Sequence, residues 1–134
     1  LKICLALLLS LGLFLLSPLP AFAANEDEEY PSVRLRSLDK ITARTLTFDA
    51  KVGTTIKLGE IYIKIQSCRK PPPIIKTEAA AFLQIWQMDK TTKQSHWVYS
   101  GWMFASSPAL SGMDHPVYDV WVIDCLGKDP EALP

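Results

Sequence analysis

Ser106, Ser107, Asp114 and His115 fall within one short stretch, ASSPALSGMDHP (105–116). A hydroxyl, an imidazole and a carboxylate are the groups a nucleophilic hydrolase brings together. The pattern is weak: neither serine sits in the G-x-S-x-G elbow that presents a nucleophile, and such a set can be drawn on paper from almost any chain of this length. No catalytic residue is assigned, and hydrolysis ranks third among the functions considered. Asp114, Asp119 and Asp124 match no calcium loop, and alternation along a strand puts Asp119 and Asp124 on opposite faces. His96 and His115 stand at no zinc-ligand spacing from Cys68 or Cys125. No metal or other cofactor is expected.

The aromatic residues are the stronger lead. Trp86, Trp97, Trp102 and Trp121, with Tyr99, Phe104 and Tyr118, are many rings for one small domain. Trp86 and Trp121 lie in the most apolar segments and are assigned to the core. Trp97 and Trp102, with Met103 and Phe104, adjoin the 105–116 segment; they either complete the core, which is slightly favoured, or form a partly exposed platform. The expected contact surface therefore comprises Trp97, Trp102, Met103, Phe104, Ser106, Ser107, Leu110, Met113 and His115. Such a surface suits a protein partner, and exposed indoles also suit a glycan strand.

The elements that would position these residues read as short strands. KITARTLTF (40–48) is rich in β-branched residues, with a break at 49–53. Segments 54–58 and 61–68 flank Gly59-Glu60, a connection suited to a tight hairpin with Gly59 at positive φ. Ile61, Ile63 and Ile65 share one face, with Lys64 and Gln66 on the other. RKPPPII (69–75) lacks successive amide donors and reads as an extended loop. AAFLQIWQM (80–88), apolar on both faces, fits a central strand, with a short helix as the alternative. WVYSGWMF (97–104) comes next, with a bulge expected at Gly101, and VYDVWVIDC (117–125) closes the domain. About seven short strands without a helical period imply an all-β fold, a small antiparallel sandwich or barrel.

Leu1 to Ala23 sets the compartment. Lys2 precedes an apolar run from Ile3 to Leu16, Pro18 and Pro20 interrupt it, and Ala21-Phe22-Ala23 supplies a small-x-small cleavage site. The run is shorter than the ~20 residues that span a bilayer, so residues 1–23 read as a cleaved signal peptide and not as a stable transmembrane anchor. About 110 residues remain, one domain's worth of chain: an acidic disordered lead-in at 24–32, a β domain at 33–127 and a flexible tail at 128–134. Cleavage also removes Cys4, and an even cysteine pair in an exported chain reads as a Cys68–Cys125 disulfide. The whole chain carries 14 basic and 14 acidic residues, which argues against a nucleic-acid partner. Residues 33–76 hold 10 of the basic residues and only 3 of the acids. They form either an anion-attracting half or, as favoured, strand faces offset by acids across the sheet.

SGWMFASSPALS (100–111) and HPVYDVWVIDC (115–125), with LDKITARTLTFDAKVG (38–53) and CRKPPP (68–73), resemble the DUF2155 family of uncharacterised bacterial proteins, found largely in alphaproteobacteria. The resemblance implies an envelope protein of a Gram-negative bacterium and supplies no site residue. Taken together, the expectation is an exported, periplasmic, non-catalytic binding or envelope-assembly module. Its partner would be another envelope protein, or alternatively a glycan or anionic lipid held by exposed tryptophans.

Overall fold

A computed structural model of the chain describes residues 27–71, 78–107 and 112–127. The signal peptide expected at 1–23, most of the proline run, Leu110 and the tail at 128–134 lie outside the described residues. Two antiparallel sheets are built from eight strands among these residues. One contains β1 (Glu28–Glu29), β4 (Thr55–Leu58), β5 (Ile61–Lys70), β6 (Ala80–Met88) and β7 (Ser95–Phe104). The other has the order β3 (Arg44–Lys51), β2 (Ser32–Asp39), β8 (Tyr118–Leu126). The fold is all-β, as expected. The helical alternative for residues 80–88 is excluded, because they pair with both β5 and β7.

Differences from the sequence reading are local. The strand expected at 40–48 starts only at Arg44, because residues 40–43 form the turn that links β2 to β3. Asp39 Oδ1 accepts the backbone N–H of Ile41 at 2.9 Å and of Thr42 at 3.2 Å, and Ala43 takes a φ of +59°. An aspartate that satisfies local amides in this way favours a turn over a continuing strand. The break expected at 49–53 starts later, because Asp49 remains within β3 as the partner of Arg34. Part of the acidic lead-in is ordered: Glu28 and Glu29 pair with Lys70 and Arg69, and Arg69 Nη2 meets Glu29 Oε1 at 2.9 Å. Gly59 does take positive φ, +56°, and a Cβ there would collide with the Tyr118 phenol.

The core lies between the sheets and is aliphatic. Val33 and Leu35 of β2, Ile61, Ile63 and Ile65 of β5, Ala81, Leu83 and Ile85 of β6, and Val120 and Val122 of β8 are buried. Trp86 and Trp121 are not in it, contrary to expectation. Trp86 is only half-buried on the outer face of the five-stranded sheet, and Trp121 sits opposite Arg36 on the outer face of the three-stranded one. Branched aliphatic chains from both inner faces fill the ~10 Å between packed sheets, and indoles on those lattice positions would overpack it.

Two bulges bring the cysteines face to face. Alternation from Ile61, Ile63 and Ile65 would turn Cys68 outward, but the β5–β6 register slips between Ile65 and Ser67. Alternation from Val120 and Val122 would likewise turn Cys125 outward, and the β2–β8 register slips between Val122 and Asp124. Each extra residue reverses the facing of the rest of its strand. The Cys68–Cys125 disulfide then joins the sheets with Cα atoms 5.7 Å apart. The second bulge also places Asp124 on the same side as Asp119, not the opposite one.

Candidate functional site: an aromatic sheet face

A third bulge, in β7, creates the main surface feature. Tyr99, Gly101 and Met103 alternate on one side, and Met103 is buried. Strict alternation would turn Trp97 inward with them. The β6–β7 register instead pairs Ile85 with Tyr99 and Trp86 with Trp97, leaving Val98 as the extra residue. The bulge expected at Gly101 therefore lies three residues earlier, and it turns Trp97 out beside Trp86.

The outer face of the five-stranded sheet consequently reads in tiers across the strands. The first is Lys57, Tyr62, Trp86 and Trp97. The second is Thr55, Lys64, Gln84 and Ser100. The third is Ser67, Phe82 and Trp102. Successive tiers are about 7 Å apart and neighbouring strands about 4.8 Å apart. Two aromatic tiers thus flank a polar one.

Within the first tier Tyr62 stacks on Trp86, with centroids 5.7 Å apart at 10°, and Trp97 meets Trp86 edge-on at 5.9 Å. Trp97, on the edge strand, is 67% exposed. In the third tier Phe82 and Trp102 meet edge-on at 5.5 Å, and the Arg69 guanidinium lies over the Trp102 ring at 5.9 Å. Trp102 and the neighbouring Phe104 are 37% and 41% exposed. In the polar tier Gln66 Nε2 donates to Gln84 Oε1 at 2.7 Å, so both amide hydrogens of Gln84 remain for an external acceptor. Lys64, Gln84, Trp86, Ser95 and Trp97 line a shallow depression of about 300 Å³, at the small end of ligand-site volumes.

The structure separates the residues grouped by sequence. Trp97, Trp102 and Phe104 face solvent together. Met103, Met113 and His115 point the other way, into the sandwich, and are buried. Ser106 donates its backbone N–H to Glu78 Oε1 at 3.0 Å and its hydroxyl to Glu78 Oε2. The Ser107 N–H donates to the carbonyl of Phe104 at 3.3 Å. Leu110 lies outside the described residues. Sequence reasoning misses Tyr62, Lys64, Phe82, Gln84 and Trp86 as members of this surface, although Gln84 between Leu83 and Ile85 is a sign that β6 has a wet face.

His115 anchors its segment to the core. Its Nδ1 accepts the backbone N–H of Val117 and of Tyr118, both at 3.1 Å. Nε2 therefore carries the proton and donates to Gln87 Oε1 at 2.8 Å. Burial, and then the nearby Lys40 ammonium, hold its pKa below the usual histidine value. Both nitrogens are engaged within the protein, and Asp114 does not orient the ring.

Acids offset much of the basic segment. Arg34 meets Asp49 at 2.8 Å, Lys40 meets Asp119 at 3.2 Å, and Lys70 meets Asp124 at 3.0 Å. The outer sheet face differs. β4, β5, β6 and β7 contain no Asp or Glu, and among the described residues Lys57 and Lys64 form no ion pair. No three His, Cys, Asp or Glu side chains converge as a metal site among the described residues.

Residues 33–125 match the sequence model of a family described as "Uncharacterized protein conserved in bacteria (DUF2155)". The chain is similar to "Uncharacterized protein RP359" of Rickettsia prowazekii (strain Madrid E), with 29% identity over 101 residues. That alignment covers 75% of this chain and 64% of the relative, so the chain spans less than two thirds of the relative's length. No solved structure matches the chain.

Proposed function

The chain belongs to the DUF2155 family of bacterial proteins, and from its surface we propose that it is a non-catalytic glycan-binding module of the bacterial envelope. Residues 1–23 export it, and the aromatic outer face of the five-stranded sheet holds the ligand. The observation that carries this reading is the tiered face itself: Trp86 and Trp97 on one side of a polar tier, and Phe82 and Trp102 on the other. Indole rings offer a negative π-face to the weakly positive C–H groups of a sugar ring, while amide and hydroxyl groups between them serve its hydroxyls.

Two features favour a glycan over a protein docked on the 105–116 segment. Met113 and His115 of that segment are committed to the interior. The exposed face alternates aromatic and polar tiers, whereas a stable protein interface usually has a continuous apolar centre. A binding role is also supported over hydrolysis by the internal engagement of both His115 nitrogens.

Indole fluorescence tests the reading. Titrating the protein with short β-1,4-linked N-acetylglucosamine-type oligosaccharides, with and without acidic substituents, should give a saturable change that Trp97→Ala weakens by about tenfold or more. Unchanged affinity in Trp97→Ala, or no saturable change with either type, contradicts it.

A further inference from the structure

The polar tier says more about the ligand than the aromatic tiers do. We infer that the face reads a carboxylate on the glycan, with Lys64 and Gln84 as its recognition pair; the inference rests on the glycan-binding reading above. Lys64 and Gln84 are direct cross-strand partners on β5 and β6, which brings their Cβ atoms to about 5 Å. Both line the depression beside Trp86 and Trp97.

The donor pattern supplies the first argument. Lys64 has donors only, and Gln84, with one of its two oxygen lone pairs taken by Gln66, presents both of its amide hydrogens. An ammonium and an amide NH₂ side by side want a partner that only accepts, and an ionised carboxylate does so. A neutral sugar hydroxyl satisfies such a pair less well, because its own proton then needs an acceptor elsewhere.

Charge supplies the second. The four strands forming the face bear Lys57, Lys64, Arg69 and Lys70 and no acid. Arg69 and Lys70 are answered by Glu29 and Asp124. Lys57 is drawn over the Tyr62 ring at 5.8 Å, and among the described residues Lys64 is left as the unpaired cation in the middle of the face. A single ammonium matches a single negative charge. A phosphate is more often met by an arginine fork or several backbone amides, and here the Arg69 fork is turned to Glu29.

A matched pair of probes isolates the carboxylate. The N-acetylglucosamine tetrasaccharide is neutral. The alternating N-acetylglucosamine and N-acetylmuramic acid tetrasaccharide has the same backbone with added lactyl carboxylates. The acidic tetrasaccharide should bind about tenfold tighter at low salt, as a charge-assisted hydrogen bond allows. The preference should shrink to about threefold or less when its carboxylates are methyl-esterified, when salt is raised, or in Lys64→Met, which keeps the aliphatic stem. Lys51→Met, on the other sheet, should keep it whole. Equal affinity for the two tetrasaccharides overturns the carboxylate inference and leaves glycan binding standing. A preference that survives Lys64→Met overturns the assignment of Lys64. Binding of neither tetrasaccharide, with or without binding to vesicles of anionic phospholipid, overturns both readings.

Discussion

At the scale of single residues, His115 and Trp97 show why type and spacing are an incomplete guide. Sequence reasoning groups both with one contact surface, yet a buried ring with both nitrogens engaged and an indole 67% exposed have opposite roles. The histidine makes a testable contribution to stability. Its folded pKa lies below its unfolded value of about 6.5, so the unfolded chain binds the proton more readily. Its contribution is therefore fully present above about pH 6.5 and is lost as pH falls through the folded value. Lys40 adds to the depression, while Glu60, Asp114 and Asp119 oppose it. Denaturant unfolding should show stability falling as pH drops below about 6.5, and His115→Gln should flatten that limb. A wild-type protein whose stability is level from pH 7.5 to 5 contradicts the assignment. The carboxyl pKa values of Asp39, Asp49, Glu60 and Asp89 are lowered, so their contributions are lost as pH falls from the ordinary carboxylate range of about 4 downward, below this limb.

At the scale of elements, β4 to β8 are legible in the sequence, whereas β2 (Ser32–Asp39) is not marked as a strand and the facing of several strands is not legible. The alternation Ile61, Ile63, Ile65 marks β5, and the apolar run 80–88 coincides with β6 at both ends. The Gly59-Glu60 turn is legible because glycine has a physical reason to be there. What sequence pattern does not mark is an extra residue in a ladder. The bulges at Gln66, Val98 and Ile123 carry ordinary side chains, and each reverses facing downstream. Without them Cys68 and Cys125 would point apart and Trp97 would be buried. The disulfide pairing is readable from the sequence once Cys4 is assigned to a cleaved signal peptide; the geometry that permits it is not. Closing a loop with a sequence separation of 57 stabilises by about 4 kcal/mol in the chain-entropy model. Reduction of the bond, or Cys68→Ser with Cys125→Ser, should lower Tm by roughly 15–30 °C. A shift under a few degrees contradicts this weight for the bridge.

At the scale of the whole molecule, composition conceals the charge arrangement. The chain has equal numbers of basic and acidic residues, and the imbalance along it resolves into cross-strand and cross-sheet pairs at Arg34, Lys40, Arg69 and Lys70. Arg36, Arg44 and Lys51 of the three-stranded sheet form no ion pair among the described residues, but the outer face of the five-stranded sheet is set apart because β4 to β7 lack acids and carry the tiered rings. That face is not readable along the chain, because it needs the register of four strands at once. Its members come from residues 55 to 104, and no short motif contains them.

The central claim is that this face holds the ligand, and amide and indole NMR shifts mapped during titration with the acidic tetrasaccharide test it most directly. The account predicts shifts concentrated on the indole N–H groups of Trp86 and Trp97, the side-chain amide of Gln84 and the backbone around Lys64. Residues of β2, β3 and β8 should stay still. Shifts confined to residues 105–107 and 112–117, shifts on the three-stranded sheet, or no shifts at all would contradict it.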